Sequence, residues 1–154
     1  MKHLYKLAIL SAAFFVFSLS ANAQSVTGSI SNGTFTPGKS VRATVVLSLP
    51  GGLHANSRYP GNEYAVPTTV TASARGARVG AVSYPRGHNR KFEFSENTIN
   101  VYEGRTAFNF NISVPANYNG STLKVNVTVK YQACTNEACY PPKSKQITLT
   151  ARAN

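Results

Sequence analysis

Residues 123–131 read Leu-Lys-Val-Asn-Val-Thr-Val-Lys-Tyr. Leu123, Val125, Val127, Val129 and Tyr131 alternate with Lys124, Asn126, Thr128 and Lys130. A period of two turns one set of side chains to a core and the other to water, which is the pattern of a half-buried strand. The same alternation runs through Val41, Ala43, Val45, Leu47 and Leu49, through Phe108, Phe110, Ile112 and Val114, and through Ile147, Leu149 and Ala151. Weaker strand candidates are residues 68–74, 78–84, 91–94 and 98–102. Turn formers separate them: Pro37-Gly38, Pro50-Gly51-Gly52, Pro60-Gly61, Glu103-Gly104, Asn119-Gly120 and Pro141-Pro142. No stretch after the N-terminus carries a helical period. Seven to eight short strands with this punctuation predict an all-β, immunoglobulin-like antiparallel sandwich. The Cys-Trp-Cys pattern of antibody domains is missing, because the chain has no Trp.

The chain has 154 residues, enough for one core. Its first 23 residues read as something other than fold. Lys2 and Lys6 precede a short apolar run, residues 7–17, and Ala21-Asn22-Ala23 closes it. A basic start, a greasy middle and a small-x-small end make a secretory signal peptide cut after Ala23. The run is short for a membrane span of about 20 residues, and nothing later is apolar for long enough to serve as one. Residues 24–35, rich in Ser, Gly and Thr, are left open between a flexible arm and an edge strand. Residues 36–154 are expected to form the sandwich. The product is expected to be periplasmic or secreted, where disulfides persist.

Composition narrows the function. Charged residues are 14% of the chain, all five acids are Glu, and the formal charge is +11. Losing Lys2 and Lys6 leaves the remainder strongly basic. Most of its Lys and Arg are scattered, and only residues 86–91, Arg-Gly-His-Asn-Arg-Lys, form a cluster. A nucleic-acid reader carries a dense basic stripe with a matching motif. The scattered charge is read instead as solubility and loose attraction to anionic surfaces. The absence of Asp argues against an Asp-based triad. No motif calls for a cofactor, and two Cys with scattered His do not make the paired spacing of a structural metal site.

The two cysteines carry whatever chemistry there is. They lie in residues 131–142, Tyr-Gln-Ala-Cys-Thr-Asn-Glu-Ala-Cys-Tyr-Pro-Pro, between the best-patterned strand and the next. Four residues separate Cys134 from Cys139. A connection this short brings two Cα atoms within the roughly 4.4–6.8 Å that a disulfide spans. Such a ring is a weak staple, since loop-closure entropy grows with the logarithm of loop length. On an exposed rim it is open to an attacking thiolate. Lys130 and Lys143 flank the pair and favour a thiolate, Glu137 opposes one, and Tyr131 and Tyr140 bracket it as candidate shields. Spacing alone leaves a structural hairpin disulfide and a redox pair both open.

The element Tyr-Gln-x-Cys…Cys-x-Pro-Pro, after an alternating Val-rich strand, resembles the N-terminal periplasmic domain of the DsbD-type thiol:disulfide interchange family. Residues 50–57, 84–87, 91–94 and 101–104 resemble further segments of that domain in order, so the likeness runs over roughly residues 36–151. It implies an immunoglobulin-like domain in which Cys134 and Cys139 form a reversible redox pair serving thioredoxin-like partners. It also implies an aromatic cap over the bridge, for which Phe92 and Phe94 stand in place, with Glu93 and Glu96 alongside. Plain core packing is the simpler role for these two Phe. Cys134, the first cysteine, is the candidate for the sulfur held in a mixed disulfide. Two departures stand out. Better-known members have five residues between the cysteines, and they carry tyrosines where this chain has Leu53-His54-Ala55-Asn56. His54 is read as a solvated or core-satisfied imidazole, with proton exchange near the sulfurs as the alternative.

Family proteins continue into a membrane domain and a thioredoxin-like domain, and this chain ends at Asn154. The expectation is an electron-transfer adaptor whose reductant, a thioredoxin-like protein or a membrane electron donor, arrives in trans. A non-catalytic exported binding module with a structural disulfide is the alternative. A metal-handling protein using the reduced cysteines with His54 or His88 ranks third.

Overall fold

The computed structural model describes residues 24–154, and the signal peptide expected over residues 1–23 lies outside them. The strands in chain order are β1 (Ser25–Ile30), β2 (Thr34–Phe35), β3 (Ser40–Ser48), β4 (His54–Asn56), β5 (Thr69–Ala74), β6 (Arg78–Val79), β7 (His88–Arg90), β8 (Ile99–Glu103), β9 (Arg105–Ser113), β10 (Thr122–Tyr131), β11 (Ala133–Cys134) and β12 (Lys143–Ala153). They form three four-stranded sheets, ordered β1-β3-β9-β6, β2-β12-β10-β5 and β11-β4-β8-β7. The fold is the all-β sandwich the alternation predicts. The count exceeds eight because several strands are only two or three residues long.

The four strongly alternating runs build the two large sheets. In one, β3 pairs with β9, so that Val45 meets Phe108 and Ala43 meets Phe110. In the other, β10 lies between β12 and β5, with Val125 opposite Leu149 and Val127 opposite Ile147. Their inward residues merge into a single core. Phe108 is fully buried near its centre, with Tyr84 and Tyr102 edge-on to its ring at 5.5 and 5.7 Å. T-shaped pairs at this spacing suit the aromatic quadrupole. Residues 24–35 contribute β1, an antiparallel edge strand on β3, and β2, which runs parallel to β12. Ile30 and Phe35 of this stretch are buried in the core.

The third sheet positions the cysteines. Gly104, at φ +61°, is the single residue between β8 in the small sheet and β9 in the large one. An L-residue is strained at that φ, so glycine suits the crossing. One face of the small sheet, with Ala55, Tyr102 and Ala133, closes the end of the main core. The other face carries a separate cluster of Phe92, Ile99 and Val101. Residues 91–94 are not a strand. Ser95 N–H donates to Phe92 O at 3.2 Å, and Phe92 folds back onto Ile99 and Val101. Residues 78–84 shorten to β6 and one bridge between Ser83 and Asn109. Among the described residues no helix is long and apolar enough to cross a membrane.

Phe108→Ala is expected to cost about 3–5 kcal/mol, the usual toll for emptying a buried aromatic site. Phe94→Ala, at a half-exposed ring, is expected to cost under about 1 kcal/mol. Urea unfolding of the oxidised protein measures both.

Candidate functional site

Cys134 and Cys139 are joined in a disulfide. They face each other across a tight hairpin and are flanked by two backbone hydrogen bonds. Tyr140 N–H donates to Ala133 O at 2.9 Å, and Thr135 N–H donates to Ala138 O at 2.8 Å. The cysteines thus occupy a non-hydrogen-bonded pair, the position where opposing residues approach most closely. Their Cα atoms are 3.9 Å apart, below the span expected from the sequence. The Thr135 hydroxyl oxygen accepts from the Glu137 and Ala138 N–H groups at 3.2 and 3.1 Å, and so sets the turn. Gln132 Nε2 donates to Tyr140 O at 3.1 Å and holds the hairpin's exit.

The two sulfur-bearing residues differ in exposure. Cys134, on β11, is 0% exposed. Cys139 stands in the exposed outer arm. A cleft of about 280 Å³ beside it is walled in part by Asn56, Tyr64, Phe94, Gln132 and Cys139. Three large apolar side chains near it are open to solvent: Tyr64 at 87%, Tyr140 at 49% and Phe94 at 45%.

The pairing register decides what faces Cys134. Across β11 and β4 it is opposite His54, and across β4 and β8 His54 is opposite Glu103. Directly opposed residues share a face, so these three form one row on the face away from the main core. His54 is 1% exposed, and its Nε2 is buried with no hydrogen-bond partner. Its ring stacks on Phe92 at 4.3 Å, and Phe92 stacks on Phe94 at 5.2 Å. Burial first, then the Arg90 charge, holds the His54 pKa below its ordinary value, against the opposing pull of Glu103. The buried imidazole is therefore neutral at pH 7.

Arg90 ties the row together. Its guanidinium binds Glu103, lies 5.3 Å from the Phe92 ring centre, and donates to Asn136 Oδ1 of the cysteine hairpin at 3.3 Å. His88 Nε2 is 2.9 Å from the other Glu103 oxygen. Partial burial works to raise the Glu103 pKa, but the hydrogen bonds from Arg90 and His88 outweigh it, and the net shift is downward. Arg90 and His88 of the basic cluster at residues 86–91 are thus committed to this carboxylate.

Phe94 walls the cleft beside Cys139, Phe92 stacks on His54 opposite Cys134, and Tyr140 follows Cys139 in the chain. Tyr131 sits elsewhere: it is fully buried in the main core, and its hydroxyl donates to Gln24 Oε1 at 3.1 Å. Lys143 is opposite Tyr131 on β12. Sequence reasoning did not assemble the His54–Glu103–Arg90 group. The one signal for it was the alternation of His88 and Arg90, which puts both on one strand face. Among the described residues no group of three or more His, Cys, Asp or Glu gathers to hold a metal.

The disulfide thus sits on an all-β, immunoglobulin-like sandwich with Cys134 buried and Cys139 exposed. The sequence profile described as "Thiol:disulfide interchange protein DsbD, N-terminal" matches residues 15–151. This chain belongs to that family of thiol–disulfide exchange domains. It is similar to the reduced DsbD N-terminal domain of Neisseria meningitidis, at 17% identity over 82% of this chain and 85% of that one, with a TM-score of 0.49. It is also similar to the N-terminal periplasmic domain of ScsB from Proteus mirabilis, at 14% identity and a TM-score of 0.57. That match covers 83% of this chain and 46% of the other, and it supports the fold. No curated protein sequence matches significantly.

The two titrating groups act in separate pH windows. The unfolded chain protonates His54 below about pH 6.5, and the folded chain resists it, so stability falls as pH drops through about 6.5. The Glu103 contribution is present above its unfolded value of about 4.3 and is lost as pH falls through its lower folded value. Being partly solvated, that ion pair is worth under about 1 kcal/mol. Thermal melts from pH 8 to pH 3 are expected to lose the upper limb in His54→Phe and the lower limb in Glu103→Gln.

Proposed function

We propose that this chain is an exported, periplasmic module, cut after Ala23, that passes electron pairs between thioredoxin-like proteins by opening and closing the Cys134–Cys139 bond. The observation that carries the reading is the asymmetry of the bridge. A visiting thiolate reaches Cys139 and is kept from Cys134, which has no exposed surface. Attack on Cys139 Sγ forms a bond to the partner and breaks the bond to Cys134, whose sulfur takes the electron pair. A second partner thiolate then attacks its own sulfur in the mixed disulfide, releases the partner as a disulfide, and leaves both cysteines reduced. Two electrons have entered. The reverse sequence delivers them to an acceptor.

This assigns the mixed disulfide to Cys139, not to Cys134 as the sequence suggested, because exchange needs an in-line approach to an accessible sulfur. The exposed aromatics support the same reading. Tyr64, Phe94 and Tyr140 ring the reachable sulfur with apolar surface, and aromatic anchors are enriched where proteins dock. Phe94 rests on Phe92 and walls the cleft beside Cys139, so it is the cap element a partner displaces. The reductant is a thioredoxin-like protein or a membrane electron donor.

Cys134→Ser is expected to accumulate a mixed disulfide through Cys139 with a thioredoxin that keeps only its attacking cysteine and is supplied as its nitrobenzoate mixed disulfide, the nitrothiobenzoate leaving as the thiolate. Cys139→Ser is expected to trap none. The native pair is expected to equilibrate with thioredoxin at a potential above about −300 mV, the upper bound typical of structural disulfides. A bridge that no thioredoxin reduces would make it a structural hairpin staple and end the exchange reading.

A further inference from the structure

We propose that His54 is the proton acceptor for Cys134: its Nε2 takes the Cys134 proton as that sulfur attacks the mixed disulfide held at Cys139. The inference rests on the exchange reading above and adds to it the group that handles the proton.

The step that returns the protein to its oxidised form starts with Cys134 as a thiol and Cys139 bonded to a partner sulfur. Cys134 Sγ must lose its proton to become a nucleophile. In the oxidised structure Cys134 is closed to solvent, so bulk water is poorly placed to take that proton. His54 is directly opposite Cys134 on the same face of the small sheet. Opposed residues on neighbouring strands have Cβ atoms about 4.5–5.5 Å apart, within the reach of an imidazole. Nε2 is buried and unpartnered while the bridge is closed. Buried polar atoms without partners are rare in folded proteins and call for an explanation. A partner that exists only when the bridge opens, the Cys134 thiol, supplies one.

The surroundings suit a base. Stacking on Phe92 fixes the ring plane. Burial and the Arg90 charge keep the imidazole neutral, so a lone pair is free at pH 7. The charged or titratable groups that face it are Arg90 and His88 from β7 and Glu103 from β8. Glu103 is the other conceivable base in the row, and Arg90 and His88 occupy its two oxygens. The step balances. The Cys134–Cys139 bond forms, the Cys139–partner bond breaks, and the electron pair leaves on the partner sulfur. The proton passes from Cys134 Sγ to Nε2 and then to the departing thiolate or to water. In the opposite direction the imidazolium returns the proton to Cys134.

The test uses the reduced mature protein and excess dithiobis(nitrobenzoate). Capture of Cys139 releases one coloured thiolate, and ring closure by Cys134 releases a second. His54→Gln and His54→Phe are expected to slow the second release by about a hundredfold at pH 7, the low end of proton-transfer catalysis, and to leave the first unchanged. Their second phase should recover only as pH rises toward the ordinary thiol value of about 8.5. His54→Phe removes the unpartnered nitrogen and keeps the stack, so it guards against loss of folding. On the native protein, the Nε2 nitrogen resonance of His54 should shift when the bridge is reduced. An unchanged second phase, equal slowing of both phases, or a resonance that ignores reduction would each overturn the proposal. If the native protein releases no second thiolate, the exchange reading itself fails, and the role of His54 goes with it.

Discussion

The register of β4 between β11 and β8 is the constraint on which the site depends. It sets Cys134, His54 and Glu103 side by side in one row. A slip of one residue in a strand turns every side chain to the opposite face. Cys134 would then enter the main core, and Ala133 would take its place beside His54. The register is held from both sides. Ala55, Tyr102 and Ala133 are buried against the main core, and Phe92, Ile99 and Val101 form the cluster on the other face. Backbone links from the loop after β4 add to this: Ser57 N–H donates to Asn100 O, and Asn100 N–H donates to Pro60 O, both at 2.9 Å.

The cost of this arrangement is concentrated where the chemistry lies. Most of the molecule satisfies its polar groups and packs its apolar ones. His54 does neither fully, since it is an imidazole in an aromatic stack with a buried nitrogen left unpaired. Removing a polar atom from water without a new partner costs free energy. The sandwich carries that cost through a core built from strands far apart in sequence. Arg90 links the aromatic stack, the carboxylate and the cysteine hairpin through one guanidinium.

Much of the fold was legible beforehand, and for a definite reason. The runs at 41–49, 108–114, 123–131 and 147–151 alternate because each has one face in the core, and that burial is written residue by residue. The short strands of the third sheet were harder. β4, with three buried residues in a row, has no alternation to read, because both of its faces are covered. Residues 91–94 imitate a strand, since Phe92 and Phe94 share parity, yet they stack on one side of a turn. Tyr131 is close to the cysteines in sequence and there resembles a shield, but strand parity turns it into the core.

The sequence by itself determined the sandwich and the hairpin pair of cysteines with its family resemblance. These are local properties: period, turn residues and spacing within one short segment. Tertiary structure alone decided which sulfur is reachable, that His54 faces Cys134, and that Arg90 and Glu103 close the row. These depend on pairing between separate strands, and for His54 and Cys134 between segments far apart in sequence. The burial of a cysteine or the neighbour of an imidazole is a property of the strand lying across from it, and nothing in the residues alongside records which strand that will be.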